Sequence, residues 1–258
     1  MEHWIWNVDP KLLQLGPFTL RWYGLFFATA FLLGYRFFVY FCDLEAKPRD
    51  RLDSLLLYMV AGTVIGSRLG HCLFYEPHLY LSNPLEIFKV WRGGLASHGG
   101  VIGIALALYL FSRKERNFDF LWTFSRISLL APLGGFFIRT GNFFNSEIIG
   151  KPSELPWAVV FKRIDALPRH PTQIYEALAY LCIFLLLLFI YRREAGGVAP
   201  PKLLGLSLVA IFSFRFVVEF FKEVQVPFEQ GMPLDLGQLL SLPVVALGVL
   251  LLVRKGSD

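Results

Sequence analysis

Apolar residues in this chain come in long unbroken runs, not in the one-faced or alternating patterns of a water-soluble protein. Taking roughly 20 apolar residues as the length that crosses a bilayer, the qualifying runs are about Phe18–Phe41, Leu52–Tyr75, Leu95–Ser112, Phe118–Arg139, Gln173–Tyr191, Leu203–Phe221 and Gly237–Val253. The pattern predicts an all-α polytopic membrane protein of about seven transmembrane helices. It is read as a single integral membrane domain over residues 1–258, with no internal repeat, low-complexity tract or separate soluble domain. Composition agrees: the chain is 55% hydrophobic and 17% charged, where soluble domains carry about 25% charged residues.

Charge orients the spans. Short connections hold Lys47, Arg49 and Arg51, then Arg113, Lys114 and Arg116, then Arg192, Arg193 and Lys202, and finally a tail with Arg254 and Lys255. The opposite connections dilute their cations with acids: Lys11 beside Glu2 and Asp9, Lys89 and Arg92 beside Glu86, Lys222 beside Glu223 and Glu229. Because cytoplasmic loops carry the excess of lysine and arginine, the N-terminus is expected outside and the C-terminus in the cytoplasm. Topology then accounts for the net charge of +5, and no nucleic-acid partner is expected. Trp4, Trp6, Trp91 and Trp157 fall on the outer side, where indoles suit the interface. The longest outer segment, 140–172, is expected to fold as a small extracytoplasmic cap. The first residues lack a basic n-region, a continuous apolar core and a small-residue cleavage site, so no removable signal peptide is expected. Cys42, Cys72 and Cys182 are scattered and form neither a disulfide framework nor a metal-ligand spacing.

Against this background the stretch from Arg139 to Gly150, Arg-Thr-Gly-Asn-Phe-Phe-Asn-Ser-Glu-Ile-Ile-Gly, supplies an arginine, two asparagines and a glutamate at the end of an apolar run. Unsatisfied polar groups cost several kcal/mol each in hydrocarbon. Two readings fit the stretch alone: a polar site at a membrane face, or an ordinary helix end built with asparagine and glycine.

On the predicted topology the other awkward residues fall on the same side. Tyr23 opens the first span, Arg68 lies in the outer half of the second, and His98 begins the third within a glycine-rich stretch. His170, Gln173 and Glu176 lead into the fifth, Arg215 and Glu219 lie in the outer half of the sixth, and Gln238 opens the seventh. Plain alternatives stand beside each. Arg215 and Glu219, spaced i, i+4, make an ion pair on one helix face; His98 snorkels at the interface; Tyr23 is a belt aromatic; His170-Pro171-Thr172-Gln173 starts a helix. Arg68 has no acid on its own helix at helical spacing, so a ligand anion or an acid from a neighbouring helix is expected to satisfy it. His71 and Cys72 are adjacent, point about 100° apart on a helix and are not a dyad.

Several arginines at one membrane face suit a phosphate anion, since guanidinium binds phosphate bidentately. At that depth the available anion is a phospholipid headgroup, and a nearby histidine can take a proton near neutral pH. There is no His-Glu-x-x-His, no Gly-x-Ser-x-Gly and no pair of aspartates, so zinc hydrolysis, serine hydrolysis and aspartyl proteolysis are disfavoured. No metal or cofactor is expected. With no convincing nucleophile in the chain, a transferase whose second substrate brings the nucleophile fits best.

The order of motifs resembles one family over essentially the whole chain. The pieces are Leu20-Arg21-Trp22-Tyr23-Gly24, Gly66-Ser67-Arg68-Leu69-Gly70, Trp91-Arg92-Gly93-Gly94 through His98-Gly99-Gly100, and Arg139-Thr140-Gly141-Asn142-Phe143 with Asn145, Glu147 and Gly150. They continue in His170-Pro171-Thr172-Gln173-Ile174-Tyr175-Glu176, Arg215-Phe216-Val217-Val218-Glu219-Phe220 and Gly237-Gln238-Leu239-Leu240-Ser241. This set is similar to that of the bacterial prolipoprotein diacylglyceryl transferases. The resemblance implies a multi-pass protein of the bacterial cytoplasmic (inner) membrane with its active site toward the outer face. It implies the first step of lipoprotein maturation: the diacylglyceryl group of phosphatidylglycerol passes to the lipobox cysteine thiol of a prolipoprotein signal peptide, giving a thioether and glycerol phosphate. It assigns the lipid phosphate to Arg139 and Arg215, the thiol proton to His98 as a candidate acceptor, and the shape of the site to Tyr23, Asn142, Glu147 and Gly150. Arg68, Gln173 and Glu219 join the expected substrate-binding set. The family often has a tyrosine one turn before the sixth-span arginine, where this chain has Ile211. The rival from another class is a transporter or flippase for an anionic lipid or solute. It also wants arginines in a bundle, but with polar residues through the full depth and broken helices near the midplane, whereas the inner halves of these spans are nearly all apolar.

Overall fold

The computed structural model describes residues 3–16, 18–90, 93–224 and 231–254; Glu2, Trp91, Arg92, Glu229 and Lys255 lie outside them. In chain order the elements are β1 (Trp4–Trp6), β2 (Lys11–Leu15), β3 (Phe18–Arg21), α1 (Trp22–Leu44), α2 (Leu52–Phe74), α3 (Pro77–Ser82), a 3-10 turn (Pro84–Phe88), α4 (Ser97–Lys114) and α5 (Phe120–Asn145). There follow β4 (Val159–Phe161), β5 (Pro168–Arg169), α6 (Thr172–Arg193), α7 (Pro200–Val218), a 3-10 turn (Glu219–Phe221) and α8 (Leu236–Val253). Among the described residues six helices are long and apolar enough to cross a membrane: α1, α2, α5, α6, α7 with its following turn, and α8. This is the architecture of a mostly helical, multi-pass membrane protein. α4 is helical where a seventh run was expected but is not one of the six; its 18 residues include Ser97, His98, three glycines, Arg113 and Lys114.

Two boundaries differ from the sequence expectation for a physical reason. Phe18–Arg21 is not the start of the first helix but a strand, antiparallel to β2 with Lys11 opposite Arg21 and Leu15 opposite Phe18. Gly16, at φ +58°, turns the hairpin. A hydropathy window sums apolarity without its period, so a short apolar strand abutting a helix is absorbed into it. At the other end, α5 runs six residues past Arg139, so Arg139, Gly141 and Asn142 lie within the helix. The helix end sits at Asn145, where Ser146 takes up the left-handed conformation (φ 56°). There the Ser146 N–H bonds Phe143 O at 3.1 Å and the Glu147 N–H bonds Asn142 O at 2.9 Å, the paired carbonyl capture of a Schellman motif. Thr140–Asn145 therefore belongs to the helix, and the strands of the expected cap segment begin at Val159.

The chain divides into two compact units, one comprising residues up to Phe38 together with Ser125 onward, the other Val39–Phe124. In the second unit α2 and α4 meet along small residues. A Cβ built on Gly66 would lie 2.7 Å from Gly103 Cα, and one on Gly70 2.7 Å from Gly99 Cα, so this seam is backbone against backbone, the close approach that small residues permit between membrane helices. Among the described residues the buried Arg68 is met by backbone carbonyls, not by an acid. Its Nε donates to Ile87 O (2.8 Å), Nη1 to Gly93 O (2.6 Å) and Gly94 O (3.2 Å), and Nη2 to Glu86 O (2.5 Å), with the guanidinium 4.9 Å from the Tyr80 ring centre. Carbonyl dipoles of the 3-10 turn and of Gly93 and Gly94 meet the guanidinium and satisfy its donors without neutralising the charge.

In the first unit β1, β4 and β5 form a three-stranded sheet, β1 parallel to β4 (Trp4 opposite Val159, Trp6 opposite Phe161) and β5 antiparallel to β4. Trp6, Phe143, Val159 and Phe161 make the core beneath it, with Trp6 and Phe143 rings 4.3 Å apart. Arg169 of β5 staples the segment: Nη2 reaches Asp165 Oδ2 at 2.6 Å, Nη1 reaches Glu223 Oε2 at 2.6 Å and Gly150 O at 3.1 Å. The hydrogen bond from Arg169 holds the Asp165 carboxyl below its ordinary pKa. A carboxyl lowered on folding contributes stability above its unfolded value, about 3.9, and loses it as pH falls through the folded value. Asp165→Asn is therefore expected to lower the melting temperature at pH 7 and to flatten its acid limb, the difference from wild type shrinking as pH falls below about 4. Thermal denaturation in detergent across pH 3–7 checks this; an unchanged acid limb in the variant would show that the staple carries no linkage.

Candidate active site

The polar residues of the first unit converge on a chain of alternating charges. α5 presents Arg139 and, three residues on, Asn142; α6 presents Gln173 and Glu176; α7 and its 3-10 turn present Arg215 and Glu219, and Lys222 follows the turn. Arg139 Nε lies 3.1 Å from Glu176 Oε2, the other oxygen of Glu176 takes Lys222 Nζ at 3.1 Å, the same ammonium reaches Glu219 Oε1 at 3.1 Å, and that oxygen lies 3.5 Å from Arg215 Nη2. Three cations and two carboxylates thus link α5, α6 and α7, with one formal positive charge in excess. Glu176 is fully buried and Lys222 nearly so, and ions so placed persist only when paired. Burial is also the main influence that draws the Lys222 ammonium below the ordinary lysine pKa, with Glu176 opposing it.

The two ends of this chain are the least committed. Arg139 adds one hydrogen bond, Nη1 to Asn142 Oδ1 at 3.2 Å. Among the described residues Arg215 has only its 3.5 Å ionic contact, and a third of its side chain is exposed. Both forks therefore retain N–H donors.

A second set of contacts builds a platform around Glu147. Its carboxylate oxygens accept from Asn142 Nδ2 (3.2 Å) and Asn145 Nδ2 (3.1 Å), and its carbonyl accepts from the buried Gln173 Nε2 (2.6 Å). Ser146 and Ile148, on either side, both have positive φ (56° and 54°), a region that L side chains occupy at a cost. Thr172 Oγ1 holds Ile148 O at 3.0 Å, and Glu223 N holds Ile149 O at 3.1 Å. The strained turn is thus fixed from two sides, as is common at functional sites. Gly150 closes it: a Cβ there would lie 2.5 Å from His170 O, 2.6 Å from His170 Cβ and 2.9 Å from Phe221 O. Tyr23 packs on α5 at Gly141, where a Cβ would sit 2.8 Å from Tyr23 Cδ2, within electrostatic reach of Glu147 and Arg139. Nearby, the Tyr175 hydroxyl accepts from Trp157 Nε1 at 2.8 Å and lies 3.2 Å from His170 Nδ1; burial holds His170 below the ordinary histidine pKa, which favours a neutral ring accepting from the tyrosine.

The profile of the prolipoprotein diacylglyceryl transferases matches residues 10–254. The chain belongs to that family. It is 50% identical over 250 residues to the phosphatidylglycerol–prolipoprotein diacylglyceryl transferase of Chloroherpeton thalassium, covering 97% of this chain and 93% of that one. It is 48% identical over 253 residues to the enzyme of the same name from Tolumonas auensis, with 98% of each covered, and 40% identical over 256 residues to that of Bacteroides fragilis, with 95% and 92% covered.

Of the residues expected to bind substrate or act on it in this family member, Tyr23, Arg139, Asn142, Glu147, Gly150, Gln173, Arg215 and Glu219 all belong to the first unit, in the contacts just described. Arg68 and His98 belong to the second. There His98 is exposed, edge-on to Phe74 with ring centres 5.5 Å apart and stacked on Tyr75 at 5.8 Å; Tyr75 in turn stacks on His71 at 5.5 Å. Arg215 and Glu219 do pair, as their spacing suggests, but Glu219 is shared. Lys222 lies in the connection after α7, and its burial between two glutamates is the feature that the sequence does not show. The Glu219–Lys222 spacing of i, i+3 was the available signal. Glu176, read as leading into a helix, proves to be the carboxylate joining Arg139 to Lys222.

Proposed function

We propose that this chain transfers the diacylglyceryl group of phosphatidylglycerol to the lipobox cysteine of a prolipoprotein. The observation that carries the reading is the pair of arginines at the ends of the buried ion chain, each with donors uncommitted, in a member of this family. The cysteine thiol gives its proton to His98. The sulfur then attacks the glyceryl carbon, an S–C bond forms as the C–O bond to phosphate breaks, and the electron pair leaves on the phosphate oxygen with glycerol phosphate. Arg139 and Arg215 grip the phosphate bidentately and stabilise the charge that grows on it. Glu219 steadies Arg215, Gln173 steadies the Glu147 turn, and Tyr23, Asn142, Glu147 and Gly150 shape the headgroup pocket. Arg68 contributes through the Gly93–Gly94 carbonyls that it holds.

The same reading sets the topology. α4 is the seventh span, its glycines turned to the seam with α2. The N-terminus and the cap within 140–172 face outward, and the basic loops face the cytoplasm of a bacterial inner membrane; the distribution of lysine and arginine supports this orientation. The names of the relatives support transfer over transport.

Incubating the purified protein with phosphatidylglycerol and a lipobox peptide, then weighing the peptide, is expected to show a diacylglyceryl adduct at the cysteine. Lipid movement across vesicles with no adduct would establish the transporter reading instead.

A further inference from the structure

Lys222 has no part in the chemistry above, yet more structure is devoted to placing it than to either arginine. The 3-10 turn Glu219–Phe221 brings the chain out of α7 and bonds the Lys222 N–H to Glu219 O at 3.1 Å. Its backbone then bridges Gly150, flanked by Lys151 N to Phe221 O at 2.9 Å and Glu223 N to Ile149 O at 3.1 Å. This clamp turns the side chain inward, where the ammonium meets both Glu176 and Glu219.

Those two carboxylates are the immediate neighbours of the two arginines. Without a cation between them, each would be free to draw the adjacent guanidinium into a close bidentate pair, the preferred geometry of arginine with carboxylate. In the structure neither pair is so close: Arg139 is recorded 3.1 Å from Glu176 through Nε, and Arg215 stays 3.5 Å from Glu219. We propose that Lys222 is a positioning residue that occupies Glu176 and Glu219, and so keeps the forks of Arg139 and Arg215 open for the substrate phosphate. The inference rests on the transferase reading and deepens it.

The test compares Lys222→Met, Lys222→Arg and the double variant Lys222→Met/Glu219→Gln, in the full-length protein, with phosphatidylglycerol and a lipobox peptide. Wild-type transfer is measured first, because its absence would remove the proposed function, whereas every later outcome bears on Lys222 alone. Lys222→Met is expected to raise KM for phosphatidylglycerol at least tenfold with a smaller change in kcat, and Lys222→Arg to retain most activity. The double variant removes one competing carboxylate together with the lysine and restores the excess of one positive charge. It is expected to recover several-fold of the loss in kcat/KM. A merely structural lysine predicts the opposite order, with the double variant no better than Lys222→Met. If Lys222→Met does not fold, the double variant and Lys222→Arg decide: a folded double variant with lipid KM near wild type supports the proposal. Wild-type KM in folded Lys222→Met, or a double variant folded but as weak in lipid binding as one lacking Arg215, overturns it.

Discussion

Arg139→Lys is expected to lower kcat/KM for phosphatidylglycerol by about tenfold to a hundredfold although the charge is kept, because each hydrogen bond to a charged group contributes about 1.5–3 kcal/mol and about 1.4 kcal/mol is tenfold. The arginine reaches Glu176 through Nε and Asn142 through Nη1 at the same time, and its remaining donors face the phosphate in the proposed complex. A lysine ammonium is a single point at the end of a flexible stem. It can serve the buried Glu176, whose charge demands a partner, or the phosphate, but not both with the fork geometry. Steady-state transfer by protein that elutes as a folded species in detergent checks this. Turnover within twofold of wild type would remove Arg139 from phosphate binding.

Gly150→Ala is the second large effect, and its cause is steric. The added methyl meets the carbonyl and Cβ of His170 and the carbonyl of Phe221 at 2.5–2.9 Å, and two of these three atoms are backbone oxygens that no rotamer change can move. Overpacking of this kind typically costs about 1–3 kcal/mol. Relief requires the Gly150 segment, the His170 turn and the Phe221–Lys222 segment to part. That would loosen the bond from Gly150 N–H to His170 O (3.1 Å) and the clamp on Lys222. Transfer is expected to fall more than tenfold, with a lower melting temperature. Both are read on one preparation, and a variant with normal melting and normal transfer would show that these segments separate at no cost.

Hydropathy reported the helices because each span is a run of one solvent preference, and a run survives errors of a few residues at either end. It could not report β3, β4 or β5, strands of two to four residues, too short for an alternating pattern to register. Arg139, Asn142, Glu147, Arg215 and Glu219 were legible as candidates because charged and amide groups stand out in an apolar chain. What joins them was not legible. Lys222 sits among Glu219, Glu223 and other loop-like residues, and nothing local shows that a bridge to Gly150 turns it inward. Arg68 was legible as buried, but its partners are backbone carbonyls, and backbone oxygens carry no sequence signature. The helix end near Gly141 was legible in kind and displaced in position, since Ser146 and not a glycine takes the left-handed turn.

The contact of α2 with α4 has a mechanical meaning. Helices that interlock through side chains can slip by rotamer changes, trading one set of knobs for another. Between Gly66 and Gly103 there is no side chain to rearrange, and the surfaces in contact are Cα atoms and carbonyl oxygens of stiff helical ladders. Sliding one helix along the other would drive peptide planes into each other before a new fit is reached. The two helices are thus geared together without teeth, and a push at one end of α2, at Leu52, is delivered to α4 as the displacement of a single rod.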